Sequence, residues 1–417
     1  MNNLQNKYKI DINFVGWYNL GMKRKPRILI TYLEAGMGHI VSAKAISEAL
    51  KKNYGDELEI FDVYLAKESP VLKQYQETLV KEVKRSNKNP GYGNFQFLCM
   101  NIFGKESSLK FTHNTVFSKA KNEMFKVFAK YRPDVMISTH YSPHYCSIEL
   151  RNRNLNKMIV ATYDPDPNVH GWWDNRSDLF FVNNEHAKKQ AIKNSKFIPS
   201  SVRQVGFTAR EQILECNLTK EQCREKYGLP KDNFTVILAD GAYATSKLKE
   251  YANEFCKITK PITLILIAGK NEKVKEYFDK KQAKLPKNIT MKVYGFVDNI
   301  HELYKASDLF VTKAGPNAIQ DSIFVGTPIM VNFYANPVEK FTQNLFTKEY
   351  KCGETVLDKI KARKKIERWI SKPHTLETYR ENCHKLDDRK TGATDIAHEV
   401  YRALKYYKPN LFEDDGE

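Results

Sequence analysis

The sequence predicts an α/β protein built as two doubly wound halves that face a central cleft. Three observations carry this. Short apolar, β-rich runs recur between helical patterns, as parallel strands with crossover helices require. The rhythm stops near residue 207 and then restarts as a second series of similar length. At 417 residues the chain is long for a single core and suits two domains of ordinary size.

Residues 1–22 lack the continuous apolar stretch of a signal peptide and end at a second methionine, Met22. They are read as a leader, either loose or ahead of the native start, and are left out of the fold. The first half, 23–207, takes its strands from "RILITYL" (27–33), "LEIFDVY" (58–64), "DVMIST" (134–139), "KMIVATY" (157–163) and "DLFFVNN" (178–184). The second half, 208–395, takes its strands from "FTVILAD" (234–240), "ITLILIAG" (262–269), "ITMKVYGF" (289–296), "DLFVTKAG" (308–315) and "TPIMVNF" (327–333). The segment "SSVRQVGFTAREQIL" (200–214) joins them. Residues 396–417, a helix with an acidic tail, are expected to pack back on the first half. Ligands of such sheets lie beyond the carboxyl ends of the strands, so the chemistry belongs in the cleft.

An insertion at 65–131 interrupts the first half. From Lys73 to Lys130 it holds eleven Lys or Arg against four Glu, interleaved with aromatics such as Tyr75, Phe95, Phe111 and Phe125. A basic stretch with apolar faces suits a membrane-surface element. A helical hairpin with aromatics inward and lysines outward explains it as well, and sequence alone sets that plainer reading slightly ahead.

Lys and Arg number 67 against 49 acids, a formal +18, which suits an anionic partner without choosing among nucleic acid, membrane and phosphorylated substrate. Seven scattered Cys form no C-x-x-C pair, which predicts a reduced, cytosolic protein with neither disulfide framework nor zinc site. No run of about 18 apolar residues is present to span a bilayer.

Three motifs carry chemistry. In "YLEAGMGHIVSAKAI" (32–46) a strand, a turn with Gly36 and Gly38, and a helix start make an anion site. Val41 breaks the dinucleotide fingerprint, and Asp62 is not in a clean ribose-binding position, so a dinucleotide cofactor is disfavoured. His39 sits at the tip of the turn, as a capping residue or as one that orients or deprotonates a substrate group. In "SDLFVTKAGPNAIQDSIFVGTPIMV" (307–331), Pro316 starts a helix whose N–H groups near Gly315 and Asn317 can face a diphosphate, with Lys313 beside them. Asp321, one turn on, can reach a ribose. In "ATYDPDPNVHGWWD" (161–174), Asp164 or Asp166 supplies a cleft-facing carboxylate, with His170, Trp172 and Trp173 nearby. A polar turn with an anchoring Trp pair explains that stretch equally well, and its Asp-x-Asp is not read as a metal motif.

Together the blocks "GMGHIVSAKAI", "RPDVMISTH", "DLFFVNNEHAKKQAI", "VRQVGF", "LIAGKNEKV", "VYGFVDNIHELYKASDLFVTKAGPNAIQDSI" and "GTPIMV" resemble the diacylglycerol glycosyltransferases. These are the monogalactosyldiacylglycerol synthases and processive diacylglycerol glucosyltransferases, with the lipid II-forming N-acetylglucosaminyltransferase as a remoter relative. The resemblance runs from about Lys23 to about residue 355. It implies a GT-B fold of two Rossmann-like domains, the second holding a UDP-sugar and the first a lipid acceptor at the membrane. It implies that His39 lies near donor sugar and acceptor hydroxyl. It places uracil contacts on Gly295, Phe296 and Val297, the diphosphate loop on Lys313, Ala314, Gly315 and Pro316, and the ribose acid on Asp321; Gly269 falls among the donor-binding positions.

The chain departs from the family where a Pro-Gly-Gln-Glu stretch would contact the sugar. It has "FYANPVEKFTQN" instead, with Glu339, Gln343 and Asn344 as replacements, and the glycine loop after "FTVILA" is reduced to Asp240-Gly241-Ala242-Tyr243. The reading is therefore an inverting hexosyltransferase moving sugar from UDP-glucose or UDP-galactose to diacylglycerol or a glycosyldiacylglycerol. No cofactor and no metal for donor binding are expected, and nucleic acid is not expected as a partner. The expected place is cytoplasmic, peripheral on the inner face of the cell membrane, on an anionic surface. A transferase for a soluble or polyprenyl acceptor, a UDP-sugar epimerase and a non-catalytic nucleotide-sugar binder are the alternatives.

Overall fold

The computed structural model describes residues 24–412 except 35, 103–105, 153–157 and 243. The leader 1–22, Tyr243 and the acidic tail 413–417 lie outside the described residues.

The first half runs β1 (Arg27–Tyr32), α1 (Met37–Tyr54) and β2 (Glu59–Tyr64). The insertion follows as α2 (Pro70–Lys88), α3 (Pro90–Ile102), α4 (Glu106–Asn114) and α5 (Ser118–Tyr131). Then come β3 (Val135–Ser138), α6 (Tyr141–Asn152), β4 (Ile159–Tyr163), β5 (Leu179–Val182), α7 (Glu185–Lys193) and β6 (Val202–Gln204). These strands form one parallel sheet in the order β2-β1-β3-β4-β5-β6. Side chains of β1 alternate between its two faces. Ile28, Ile30 and Tyr32 pack with α1, and Leu29 packs with the insertion helices and α6.

The second half opens with α8 (Glu211–Leu214), α9 (Lys220–Lys226), β7 (Phe234–Ala239), α10 (Ser246–Phe255), β8 (Ile262–Ile267) and α11 (Glu272–Gln282). It continues with β9 (Ile289–Tyr294), α12 (Ile300–Ala306), β10 (Leu309–Lys313), α13 (Pro316–Phe324), β11 (Ile329–Phe333) and α14 (Pro337–Asn344). It closes with β12 (Gly353–Thr355), α15 (Lys359–Ser371) and α16 (Glu377–His384). Its parallel sheet has the order β12-β11-β10-β7-β8-β9. Each sheet thus has six strands where five were expected. The additions, β6 and β12, are three-residue edge strands too short to show a period.

A final helix, α17 (Gly392–Tyr407), returns to the first half and buries Ile396, Ala397, Val400 and Leu404 beside Ala43, Ile46 and Leu50 of α1. The two connections between the halves run against one another. Phe207 N donates to Arg389 O (2.7 Å), Gly392 N donates to Phe207 O (3.1 Å), and Thr208 bridges Thr391. A Cβ on Gly206 would lie 2.5 Å from the Arg389 carbonyl, so only glycine permits this approach.

The insertion divides its apolar residues. Tyr75, Phe125 and Phe128 are buried against the sheet, whereas Phe95 (62% exposed), Leu98 and Ile102 lie outward at i, i+3, i+7 spacing on α3, with Phe111 of α4 also exposed. The inward hairpin therefore describes α2 and α5 and fails for α3 and α4. Among the described residues no helix is long and apolar enough to cross a membrane.

Candidate active site

Two helix N-termini meet across the cleft. α1 begins at Gly36, whose φ of 102° needs a glycine, and α13 begins at Gly315 with Pro316 in its first turn. Neither start has a side-chain cap or an acidic residue in its first turn, so both present bare N–H groups and positive dipole ends. They are close: a Cβ on Gly38 would lie 2.7 Å from Asn317 Oδ1, and Asn317 Nδ2 is 3.5 Å from Ser42 Oγ.

His39 stands in the first turn of α1. Its Nδ1 lies 2.5 Å from the Thr139 carbonyl oxygen, and Thr139 Oγ1 donates to the His39 carbonyl (2.8 Å). A carbonyl only accepts, so Nδ1 carries the proton and Nε2 keeps its lone pair. Burial lowers the pKa of His39, with the Thr139 carbonyl opposing, so the ring is neutral near pH 7. His140 packs edge-on against it at 5.1 Å between centroids, buried, with its own pKa pushed well down by burial and by the neighbouring histidines. Sequence reasoning assigned His140 no role.

The loop after β4 carries the two carboxylates. Asp164 is fully buried and accepts from Asp166 N (3.1 Å), and burial followed by the charge of Asp166 raises its pKa well above the carboxylate range. Asp166 is half-buried; burial, then the charge of Glu339 from the other half, pushes it up to about 7. The loop is held by two residues that no motif marks, Asn183 and Asn184. Asn183 Nδ2 donates to the carbonyls of Pro165 (3.2 Å) and Asp166 (3.3 Å), and Asn184 Nδ2 donates to Pro167 O (2.8 Å) while its Oδ1 caps α7.

The aromatic cluster of this loop follows the anchoring reading more than the acceptor-facing one. Trp173 is 3% exposed and packs in the core, stacked on His170 and edge-on to Phe180. His170 is itself buried, accepts from Trp172 N (3.2 Å) and is held at about 3, chiefly by burial. Trp172 is half-buried, edge-on to Tyr141. Trp173 and His170 therefore anchor the loop and offer no open face to an acceptor.

In the second half, Lys313 ends β10. Its Nζ pairs with Glu339 Oε1 (2.5 Å) and lies 3.2 Å from Asn87 Oδ1 of α2, so it links three elements across the cleft. The other Glu339 oxygen accepts from Ala335 N (2.7 Å). Lys313 Cε runs beside Gly241 and Gly315, at ordinary van der Waals distance (3.7 Å and 3.9 Å) from where each would carry a Cβ. Ala314 is fully buried, and its N–H donates to the Phe333 carbonyl (2.9 Å). Asp321 is buried and paired with Arg210 Nη2 (2.7 Å); burial raises its pKa and Arg210 opposes this. Arg210 lies in the joining segment, where no local motif marks it as a partner for Asp321.

Gly269, at φ 58°, packs on the Ala242 carbonyl, and a Cβ on Gly295 would lie 3.7 Å from the Gly269 carbonyl oxygen. Phe296 beside them is exposed and Val297 half-buried. Of the three replacements for the sugar-contact stretch, only Glu339 is brought to Lys313. Gln343 is buried and donates to its neighbour Asn344 (3.3 Å). Lys270 Nζ pairs with Glu34 Oε1 (3.4 Å), a further link between the halves. Among the described residues no group of three or more His, Cys, Asp or Glu is placed to hold a metal ion.

Known proteins match this arrangement half by half. Residues 39–207 match the monogalactosyldiacylglycerol (MGDG) synthase family model, and residues 242–390 match the glycosyltransferase family 28 C-terminal domain. The chloroplastic monogalactosyldiacylglycerol synthase of Spinacia oleracea is 24% identical over 340 residues, covering 74% of this chain. The chain spans only 59% of that relative's length. The processive diacylglycerol beta-glucosyltransferase of Bacillus pumilus is 22% identical, covering 74% of this chain and 78% of its own. Among solved structures, HepE of Anabaena in complex with UDP and glucose superposes with a TM-score of 0.53 at 13% identity, over 91% of this chain and 100% of the other. MurG of Acinetobacter baumannii superposes with a TM-score of 0.52 at 10% identity, over 90% and 99%. The fold is GT-B, and the chain is similar in its first half to the monogalactosyldiacylglycerol synthases and in its second half to the family 28 glycosyltransferases.

Proposed function

We propose that the chain transfers a hexose from a UDP-sugar to a membrane lipid, diacylglycerol or a glycosyldiacylglycerol, with inversion at the anomeric carbon. The observation that carries this is the meeting of the bare α1 and α13 N-termini beside Lys313, with a neutral His39 whose Nε2 can accept a proton. The names of the Spinacia and Bacillus relatives supply diacylglycerol as the acceptor.

His39 Nε2, or Asp166 in its ionised form, takes the proton of the acceptor hydroxyl. The hydroxyl oxygen bonds to the anomeric carbon as the bond to the diphosphate oxygen breaks. UDP leaves carrying that electron pair, stabilised by the N–H groups of α13 and by Lys313. These groups are proposed to do at the diphosphate what a divalent cation does elsewhere, so donor binding needs no metal. The uracil lies against Gly269 and Gly295 to Val297, the ribose against Asp321, and Glu339 reaches the sugar hydroxyls when the diphosphate draws Lys313 away.

The exposed face of α3 and α4 supports a working position on the inner face of the cell membrane, where it enters the headgroup region. The test is UDP release from UDP-glucose and UDP-galactose, with and without diacylglycerol in anionic liposomes. Release that depends on lipid, names the sugar and survives a chelator is expected. Release independent of any acceptor, or UDP binding without turnover, would overturn the reading.

A further inference from the structure

We infer that the second half carries its own membrane contact, the outer stripe of α15, which docks on anionic phospholipid. This rests on the reading that the protein works at a lipid surface, yet it concerns a face far along the chain from the insertion.

α15 buries Ala362, Ile366 and Trp369 against the sheet, at i, i+4, i+7 spacing. The opposite side exposes Lys361, Lys364 and Arg368, continued by Lys372 just past the helix end. Ile360 (46% exposed) and Leu357 (53%) lie at its start. Bases on the flanks are already neutralised: Arg363 pairs with Glu254 and Glu367, and Lys365 pairs with Glu354. Among the described residues, Lys361, Lys364, Arg368 and Lys372 have no carboxylate within ion-pairing distance. Lys260, shortly after α10, adds to the stripe by lying against Ser371 Oγ. The nearby acids, Glu254 and Glu367, are committed to Arg363, and Asp358 caps the helix by accepting from Lys361 N.

Uncompensated bases in one row, with two aliphatic side chains at one end, match a headgroup surface. The ammonium groups meet phosphates while Ile360 and Leu357 enter the interface. A second copy of the chain would bring the same positive row against itself. Single-stranded nucleic acid would find no exposed aromatic side chain to stack on along this stripe.

The test compares wild type with Lys361→Gln/Lys364→Gln/Arg368→Gln by flotation on vesicles of phosphatidylglycerol and phosphatidylcholine, and of phosphatidylcholine alone. At roughly fivefold per basic residue, the triple variant is expected to bind the anionic vesicles about a hundredfold more weakly. Its thermal midpoint, UDP affinity and turnover of a short-chain diacylglycerol in neutral detergent should match wild type. Leu357→Asn/Ile360→Asn should also bind anionic vesicles more weakly. Undiminished flotation of the triple variant would overturn the stripe as a contact, whatever lipid-dependent UDP release says about the acceptor. Wild-type binding to an oligonucleotide but not to anionic vesicles, abolished in the triple variant, would overturn it in favour of a nucleic-acid site.

Discussion

His39 and Asp166 are candidates for one role, and their surroundings push them in opposite directions. His39 is tied through Nδ1 to Thr139 and has its pKa lowered by burial, so its basic form persists as the pH falls through 6.5. Asp166, held up to about 7 by burial and Glu339, loses its basic form as the pH falls through neutrality. If His39 is the base, the acid limb of kcat/KM lies below 6.5. His39→Ala should then cost roughly 10²–10⁴ in rate, and any remaining activity should titrate near 7. A wild-type limb near 7 that vanishes in Asp166→Asn would give the role to Asp166. A second residue-scale effect concerns Gly38, whose Cβ would press on Asn317 from the other half. Gly38→Ala should weaken UDP-sugar turnover with little change in unfolding midpoint, and Asn317→Ala should restore part of it. A double-mutant cycle measures the coupling, and strict additivity would show that the clash is relieved elsewhere. Both residues, like Lys313, stood out in the sequence because a glycine turn or a strand end marks them locally. His140, Arg210 and Asn183 did not, because each acts only through a partner brought close by folding.

At the scale of elements, the site is made by where helices begin. An uncapped start with no acid in its first turn is legible in sequence, which is why the α1 and α13 motifs read there as candidate anion sites. What was not legible is that the two starts face each other, since that depends on how the halves dock. Short edge elements were lost for a related reason: β6 and β12 have three residues each, and a period of two needs more to declare itself. The tryptophans show a different limit, since sequence left an open platform and an anchoring pair level. A Trp pair in a polar, proline-rich loop reads either way, and the space beside His144 and Phe180 decides it by taking Trp173 into the core. The insertion divides by element as well, with α2 and α5 supplying its core while α3 keeps Phe95, Leu98 and Ile102 outside. Composition cannot assign individual aromatics to one face or the other, because both kinds of helix in this stretch carry the same residue types.

At the scale of the molecule, the last helix makes the two halves interdependent. α17 leaves the second half through the paired crossing at Phe207 and Gly392, and then completes the core of the first. Ile396, Ala397, Val400 and Leu404 line up at helical spacing on a face that would otherwise leave α1 open to water. Burying large aliphatic side chains contributes roughly 1.5–3 kcal/mol each, and a whole domain is stable by only about 5–15 kcal/mol. A chain ending at 391 should therefore lose the cooperative transition of its first half. The second half keeps its sheet and the Phe207–Arg389 and Thr208–Thr391 contacts of the crossing, losing the bond from Gly392, and should still bind UDP. Because a truncated chain can simply aggregate, Leu404→Ala and Ile396→Ala provide the graded version, each costing about 2–5 kcal/mol in denaturant unfolding. If these two substitutions left the first half's transition unmoved, α17 would be an ornament on its surface, and the interdependence of the halves would rest on the crossing alone.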